Sequence, residues 1–452
     1  MGRTYSELIE KQSSFFRRLW QELSEAKVYD THEHLNSEPG LWVDQRGHPR
    51  DKIPAYEAFD RAYVHGFQRA PGKYEQWAGV VRRQRGTGYV KAVTWAVEDL
   101  FGLSPPVTAS YMEALERHLN EAYDRDAAEK NRRIATVFGE HMNVETAILN
   151  VSPLDAHLKM PQPTFQAAAG LPDICECTCP PKTYKPPGQV PWWFAKEKKG
   201  VEPAEIATFE QYLELIDDLL DWIANSKLFL CAKFQLAYHR PISFPEPGED
   251  PAELRAVKET YGRPAVEEEE LWRFGDHVLH HFLERMAVGW NRPVQFHTGL
   301  ARMYDGGSNA LNLSHLLRKF PDVKFDLFHG NFPWHVVLAG MLHQIPNVHA
   351  DLCWLPIISP TAAKDLLVHL VEVGDMCGEL EGHEPSWRTS AFGGDCAIAE
   401  GSRGALLVAK EVVCRAMEDL HERGHLTQAD AVDVAERLLY ENPKRLFGSQ
   451  PT

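Results

Sequence analysis

The sequence predicts an α/β fold, a distorted (β/α)8 barrel, on three observations. Its later half alternates helix-period segments with short β-rich runs, the pattern of a parallel sheet covered by helices. Nearly every such run ends in Gly, His or another polar residue, where a barrel of this kind carries its working loops. The 452 residues exceed the average barrel of about 250 residues but suit one with elaborated loops. A single domain over 1–452 with insertions therefore accounts for the chain.

VYDTHEHL (28–35) supplies the first strand. Residues 36–143 are mainly helical in pattern, as in EALERHLNEAYDRDAAEKNRRI, and leave the second strand unplaced. VETAILNVS (144–152) is assigned as the third strand. Residues 155–203 carry Pro, Lys and Cys without periodicity and read as a lid-like insertion before strand four, with an arm wrapping a neighbouring subunit as the alternative. Apolar residues Phe209, Tyr212, Leu213, Ile216, Leu219, Leu220 and Ile223 then recur at helical spacing before LFLCAKFQLAY, strand four. PVQFHTG, VKFDLFHG, NVHADLCW and SAFGGD are strands five to eight.

Apolar residues at 44% and charged residues at 25% are the balance of a globular chain with a large core. The net charge of −16 argues against nucleic acid or anionic lipid as partners and leaves a small molecule, with a homo-oligomer also compatible. No run approaches 18 apolar residues, and the opening segment reads as an amphipathic helix rather than a signal peptide, so a cytoplasmic location is expected. Eight cysteines, mostly single, suit a reducing compartment. Cys175, Cys177 and Cys179 form CECTC, read as a structural zinc site, redox-sensitive thiols or plain loop residues; a matching second ligand pair is not evident. No Walker-type loop or dinucleotide fingerprint follows a strand.

The chemistry-bearing pattern is DTHEHL. His32 and His34, two apart in a strand, point to the same side and can share one divalent ion. FHTG (His297), FHG (His329) and GGD (Asp395) each end a β-type run, with spacings that fit strands five, six and eight. For Asp395 the bland reading is a cap on the following helix. Arg240 would sit at the mouth after strand four with Tyr238, holding a substrate carboxylate or making a surface ion pair. Trp334 and Trp354, after strands six and seven, would wall the pocket or pack in the core.

This constellation resembles the amidohydrolase superfamily. AYHR, QFHTGL, LFHGNFPW, NVHADLCWLPIIS, FGGD and ENPKRLFG are similar to its branch containing the amidohydrolase-like domain fused to glutamine synthetase, with uronate isomerases and non-oxidative decarboxylases as relatives. The resemblance covers about 228–447 and 28–35. It implies a metal-dependent hydrolase acting on a small polar, carboxylate-bearing substrate. His32, His34, Asp395 and His297 would hold one divalent ion, zinc first, with Mn, Fe or Ni also suited to such ligands. Asp395 would also move the proton of an activated water, and His329 would either bind a second metal or donate to the substrate carbonyl. Lys233, which binuclear members carboxylate as a bridge, lies in mid-run here, so contact with a buried carboxylate or with substrate is equally open. The same ligands serve a uronate-type isomerase or a decarboxylase, and a non-catalytic ligand-binding barrel is the reading from outside enzymology.

Overall fold

Eight parallel strands pair in strict sequence order in the computed structural model: β1 (Val28–Glu33), β2 (Val144–Val151), β3 (Phe165–Gly170), β4 (Phe229–Phe234), β5 (Val294–Phe296), β6 (Phe325–Leu327), β7 (Val348–Asp351) and β8 (Thr389–Ser390). The structure describes residues 4–35, 38–44, 47–67, 74–123, 131–155, 164–186, 188–248, 250–301, 305–374 and 388–448. Past the short β8 the chain continues beside β1, where Thr31 N–H donates to Phe392 O (3.3 Å), Asp395 N–H to His32 O (2.9 Å) and His34 N–H to Cys396 O (3.1 Å). These bonds close the ring between last and first strands, giving a (β/α)8 TIM barrel.

Every position of β1, β3 and β4 is buried, as expected of parallel strands covered on both faces. The helix Phe209–Asn225 starts at a Thr208–Gln211 capping box, which satisfies two of its free N–H groups. Its buried stripe is Phe209, Tyr212, Leu215, Ile216, Leu219, Leu220 and Ile223, so Leu215 takes the place expected for Leu213. Each such aliphatic side chain withdrawn from water contributes about 1.5–3 kcal/mol, which fastens the helix to the barrel. No helix among the described residues is long and apolar enough to cross a membrane.

Three expectations are corrected. The strand missing from the count is β3, which lies within the stretch read as a lid, so VETAILNVS forms the second strand and not the third. FQAAAG has little of the β-branched character that marks a strand and becomes one through burial between β2 and β4. The segment after it packs into the body of the protein: Trp192 is fully buried, and the Tyr212 hydroxyl donates to Ile174 O (2.8 Å). Residues 156–163 and 187 of that stretch lie outside the described residues. The second correction concerns β4, which ends at Phe234, so Lys233 stands one residue from the strand's end. Leu236–Tyr238 form a 3-10 turn that leads away from it. Third, the opening segment is two helices, Tyr5–Glu10 and Ser14–Glu25, the second capped by the Ser13 side chain on Phe16 N–H (3.0 Å).

The insertion at 36–143 is helical, with Tyr74–Arg83, Gly88–Phe101 and Ala109–Ala122 as its longer elements and no strand among its described residues. Tyr123 OH donates to Glu400 Oε2 (2.6 Å), binding the insertion to the long helix Ala399–Glu422 after β8. Those contacts hold the insertion on the side of the barrel mouth formed by β8 and β1.

Candidate metal centre at the barrel mouth

His32 and His34 leave the end of β1 on one side, with their rings edge to face at 4.9 Å. Asp395 is brought to them by a backbone clasp. Three successive N–H groups, of Gly394, Asp395 and Cys396, donate respectively to Asp30 Oδ1 (3.4 Å), His32 O (2.9 Å) and Glu33 Oε2 (2.8 Å). The two glycines before Asp395 are required by this fit. A Cβ on Gly393 would lie 2.6 Å from Thr31 Oγ1, and one on Gly394 would lie 2.0 Å from Glu33 Oε1. Asp395 itself has a φ of 52°, and His329 and Trp354 have φ of 64° and 67°. Three non-glycine residues in left-handed conformations around one pocket are strained backbone held by its surroundings, a common property of working sites.

The result is a compact donor set. His32 Nε2 lies 3.3 Å from His34 Nε2 and 3.4 Å from Asp395 Oδ1, and His34 Nε2 lies 3.2 Å from the same oxygen. A tetrahedral ion with arms of about 2.0–2.1 Å has ligand separations of about 3.3–3.4 Å, against about 2.9 Å for an octahedral one. The three atoms therefore fit three corners of a zinc-sized tetrahedron. The His34 side chain is 42% exposed while those of His32 and Asp395 are 2% and 7%, so the group meets solvent through His34. Burial, with Lys233's charge second, holds His32 well below the usual histidine range, which favours the neutral ring that a metal would need.

His297 is not brought into this triad. Its Nδ1 meets His329 Nε2 at 3.0 Å and its Nε2 only a distant Leu300 O at 3.4 Å. Burial pulls His297 down to about 3, and it holds His329 low as well. His329 Nδ1 in turn meets Cys353 O at 2.9 Å. With both rings neutral, the consistent assignment is a relay: His297 Nδ1–H donates to His329 Nε2, and His329 Nδ1–H to the carbonyl. His329, Cys353 and Asp395 form a second group of buried donors whose ligand atoms lie within 4.8 Å of one another.

Lys233 is 1% exposed, with Nζ lacking a hydrogen-bond partner among the described residues and standing 3.3 Å from the Phe328 ring centroid. Burial brings it down to about 8, against the pull of the Cys353, Asp395, Asp326 and Asp351 charges. Arg240 does not reach the site as a free fork of donors. It is 5% exposed, pairs with Asp276 Oδ1 (2.6 Å) and donates to Trp272 O (2.8 Å) and Pro241 O (3.2 Å), because a buried guanidinium must be matched. Tyr238 does stand at the mouth, 53% exposed with its ring 4.4 Å from that of His297. Trp354 is buried with its ring centroid 5.2 Å from that of His329, edge to face, whereas Trp334 is half-buried at the position before the helix His335–Gln344, with no side-chain cap hydrogen bond. Cys175, Cys177 and Cys179 join no three-ligand group among the described residues, and Cys175 and Cys177 are buried thiols.

Sequence reasoning missed two residues of the wall. Tyr63 and Tyr89, both from the helical insertion, form a cluster with Trp354 at ring separations of 4.8, 5.6 and 6.4 Å. Tyr63 OH donates to Asp395 O at 2.5 Å. Burial first, then the Asp395 carboxylate, raises the Tyr89 and Tyr238 phenols. No local signal marks Tyr63, in the turn after the helix Glu57–Asp60, or Tyr89, in the helix Gly88–Phe101, because both reach the site only through tertiary packing. Cys353 was also missed, although its place at the end of NVHADLCW marked it.

A family model described as Amidohydrolase matches residues 250–377, which carry His297, His329 and Cys353. Protein fluG of Emericella nidulans is 26% identical over 163 residues, a match that spans 35% of this chain and 17% of that protein. Among solved structures, glucuronate isomerase from Caulobacter crescentus aligns with a TM-score of 0.68 at 16% identity, over 96% of this chain and 94% of its own. Uronate isomerase from Thermotoga maritima aligns with 0.67 at 15%, over 97% and 98%. A Lactobacillus casei protein described as a candidate metal-dependent hydrolase aligns with 0.64 at 16%, over 95% and 97%. At these identities the structural likenesses speak to the fold alone. The family model matches a part of the chain, and the eight-stranded parallel barrel is the fold it shares with these solved structures, so the chain is similar to amidohydrolases over residues 250–377 and in its fold.

Proposed function

We propose that the chain is a metal-dependent hydrolase, with one zinc ion held by His32, His34 and Asp395. The observation that carries this reading is the set of donor separations, 3.2–3.4 Å among two imidazole nitrogens and one carboxylate oxygen, with one corner open. A divalent ion there supplies Lewis-acid polarisation of a carbonyl and acidification of water. The Asp395 carboxylate accepts the proton of the attacking water and returns it to the leaving group. His329 has both nitrogens engaged, so contact with the substrate passes to His297, whose Nε2 has only the 3.4 Å neighbour and lies beneath the exposed Tyr238 ring. Tyr63, Tyr89 and Trp354 form the facing wall and limit water access from the insertion side.

A uronate-type isomerase is the second reading. It is favoured by the uronate isomerase likenesses, which extend over 96–97% of this chain and so include its helical insertion. The test is a screen of zinc-loaded protein against lactones, amides and sugar acids, with chelated protein and Asp395→Asn as controls. Hydrolysis of a lactone or amide that both controls abolish is expected. Aldose–ketose interconversion with no hydrolysis would transfer the assignment to the second reading, and full turnover by Asp395→Asn would end both.

A further inference from the structure

We propose that the helical insertion fixes Asp395 from outside the barrel, with Tyr63 and Arg61 as its positioning residues. The inference deepens the metal reading above, in which Asp395 completes the triad. The loop that carries Asp395 is bound on two sides. From the barrel, His32 O accepts Asp395 N–H, Glu33 Oε2 accepts Cys396 N–H, and His34 N–H donates to Cys396 O at 3.1 Å. The polar groups between these go to the insertion: Tyr63 OH donates to Asp395 O (2.5 Å), and Ala397 N–H donates to Arg61 O (3.1 Å). Barrel and insertion thus hold the same three residues, and neither partner alone satisfies their backbone.

The insertion is itself braced at this point. Glu57 is 4% exposed and receives both Arg50 Nη1 (2.5 Å) and Arg61 Nε (2.5 Å), which anchors the Arg61 side chain while its carbonyl meets Ala397. Tyr63 has a φ of 68°, a left-handed conformation that a residue with a Cβ keeps only where its surroundings impose it. The turn that imposes it is closed by Val64 N–H on Phe59 O at 2.9 Å. Behind the loop, a Cβ on Gly401 would stand 3.0 Å from Ala62 Cβ and 3.1 Å from Cys396 Cβ, so insertion and loop pack against the same glycine. A tyrosine that served only as a wall would need only its ring, which meets Trp354 at 4.8 Å; the hydroxyl's bond to the Asp395 main chain is a further contact. Without it the Asp395 carbonyl loses its partner, and the carboxylate is free to drift from His32 and His34.

The test compares the full-length wild type with Tyr63→Phe, which removes only the hydroxyl. Tyr111→Phe is the control, in the same insertion, where the buried hydroxyl has no partner among the described residues. In apo-protein, hydrogen exchange of the peptide spanning 394–398 is expected to quicken roughly two- to tenfold in Tyr63→Phe, the range set by one neutral hydrogen bond. The control should leave it unchanged. Co²⁺, which takes the ligands of zinc, is expected to bind Tyr63→Phe roughly two- to tenfold more weakly and with altered d–d bands. Turnover should fall through kcat, with KM held within about twofold. Urea unfolding exposes a merely structural role: a lowered midpoint with unchanged exchange at 394–398 and an unchanged cobalt spectrum would overturn the proposal. So would exchange in Tyr63→Phe that matches the control. A wild type that takes up no Co²⁺ would end the metal reading but not this one, because exchange in the apo-protein decides whether the insertion fixes Asp395.

Discussion

Replacing Gly394 by Ala is expected to disable the site without touching a ligand. The added Cβ would stand 2.0 Å from Glu33 Oε1 and 2.8 Å from Glu33 Cδ. Ordinary contact begins at about 3.5 Å, so the carboxyl group must retreat by more than about 1 Å. Glu33 is fully buried, and its other oxygen holds Cys396 N–H at 2.8 Å. Overpacking a core position costs about 1–3 kcal/mol, and loss of a hydrogen bond to a buried acid adds about 1–3 kcal/mol. The sum is a destabilisation of about 2–6 kcal/mol before relaxation. Asp395 lies between the two residues whose N–H groups Asp30 and Glu33 receive, so it moves with them. Displacement of a reacting group by about 1 Å lowers turnover on the order of 10²-fold. Urea unfolding reads the first effect, and Co²⁺ affinity with turnover reads the second. A variant with wild-type cobalt spectrum, affinity within about twofold and a stability loss below about 1 kcal/mol would show that the clasp does not hold Asp395.

Arg240→Met strands Asp276 in a buried position and should cost about 3–5 kcal/mol in urea unfolding, with KM unchanged in the folded fraction. A large rise in KM at unchanged stability would restore Arg240 as a substrate clamp. Tyr89→Ala opens the insertion-side wall and should raise KM by roughly tenfold while leaving the cobalt spectrum intact; an unaltered KM would remove Tyr89 from the pocket. Lys410, in the helix Ala399–Glu422, is brought by burial from 10.5 to about 7. The unfolded chain therefore binds more protons between those values, and this group's destabilisation is full below pH 7 and relieved as pH rises towards 10.5. Lys410→Met should stabilise the protein by a few kcal/mol at pH 7 and much less at pH 10, as measured by denaturant unfolding at the two pH values. Equal stabilisation at both pH values would contradict this.

Periodicity was enough for most of the scaffold because long parallel strands and their helices carry continuous apolar signals. The stripe of Phe209–Asn225 was legible to within one residue, Leu215 for Leu213. FQAAAG was not legible, since its small side chains have no strand preference of their own and the neighbours β2 and β4 supply its burial. Arg240 failed for a different reason. Its sequence position marked the mouth, but a guanidinium's partner is chosen in three dimensions, and Asp276 on the helix Glu268–Gly289 reaches it first.

The sequence by itself determined the barrel, the pairing of His32 with His34 on one side of β1, and the placing of His297, His329 and Asp395 at later strand ends. Those are consequences of alternation along a strand and of spacing between βα units, both local to the chain. Only the tertiary structure decided which of these residues meet. His34 and Asp395 come within 3.2 Å because three N–H groups after β8 bind to β1, while His297 turns to His329, 3.0 Å away. Tertiary packing also delivered Tyr63 and Tyr89 from the helical insertion and set Cys353 beside Asp395. Contacts between segments hundreds of residues apart depend on the closure of the barrel, and no local pattern in the sequence encodes them.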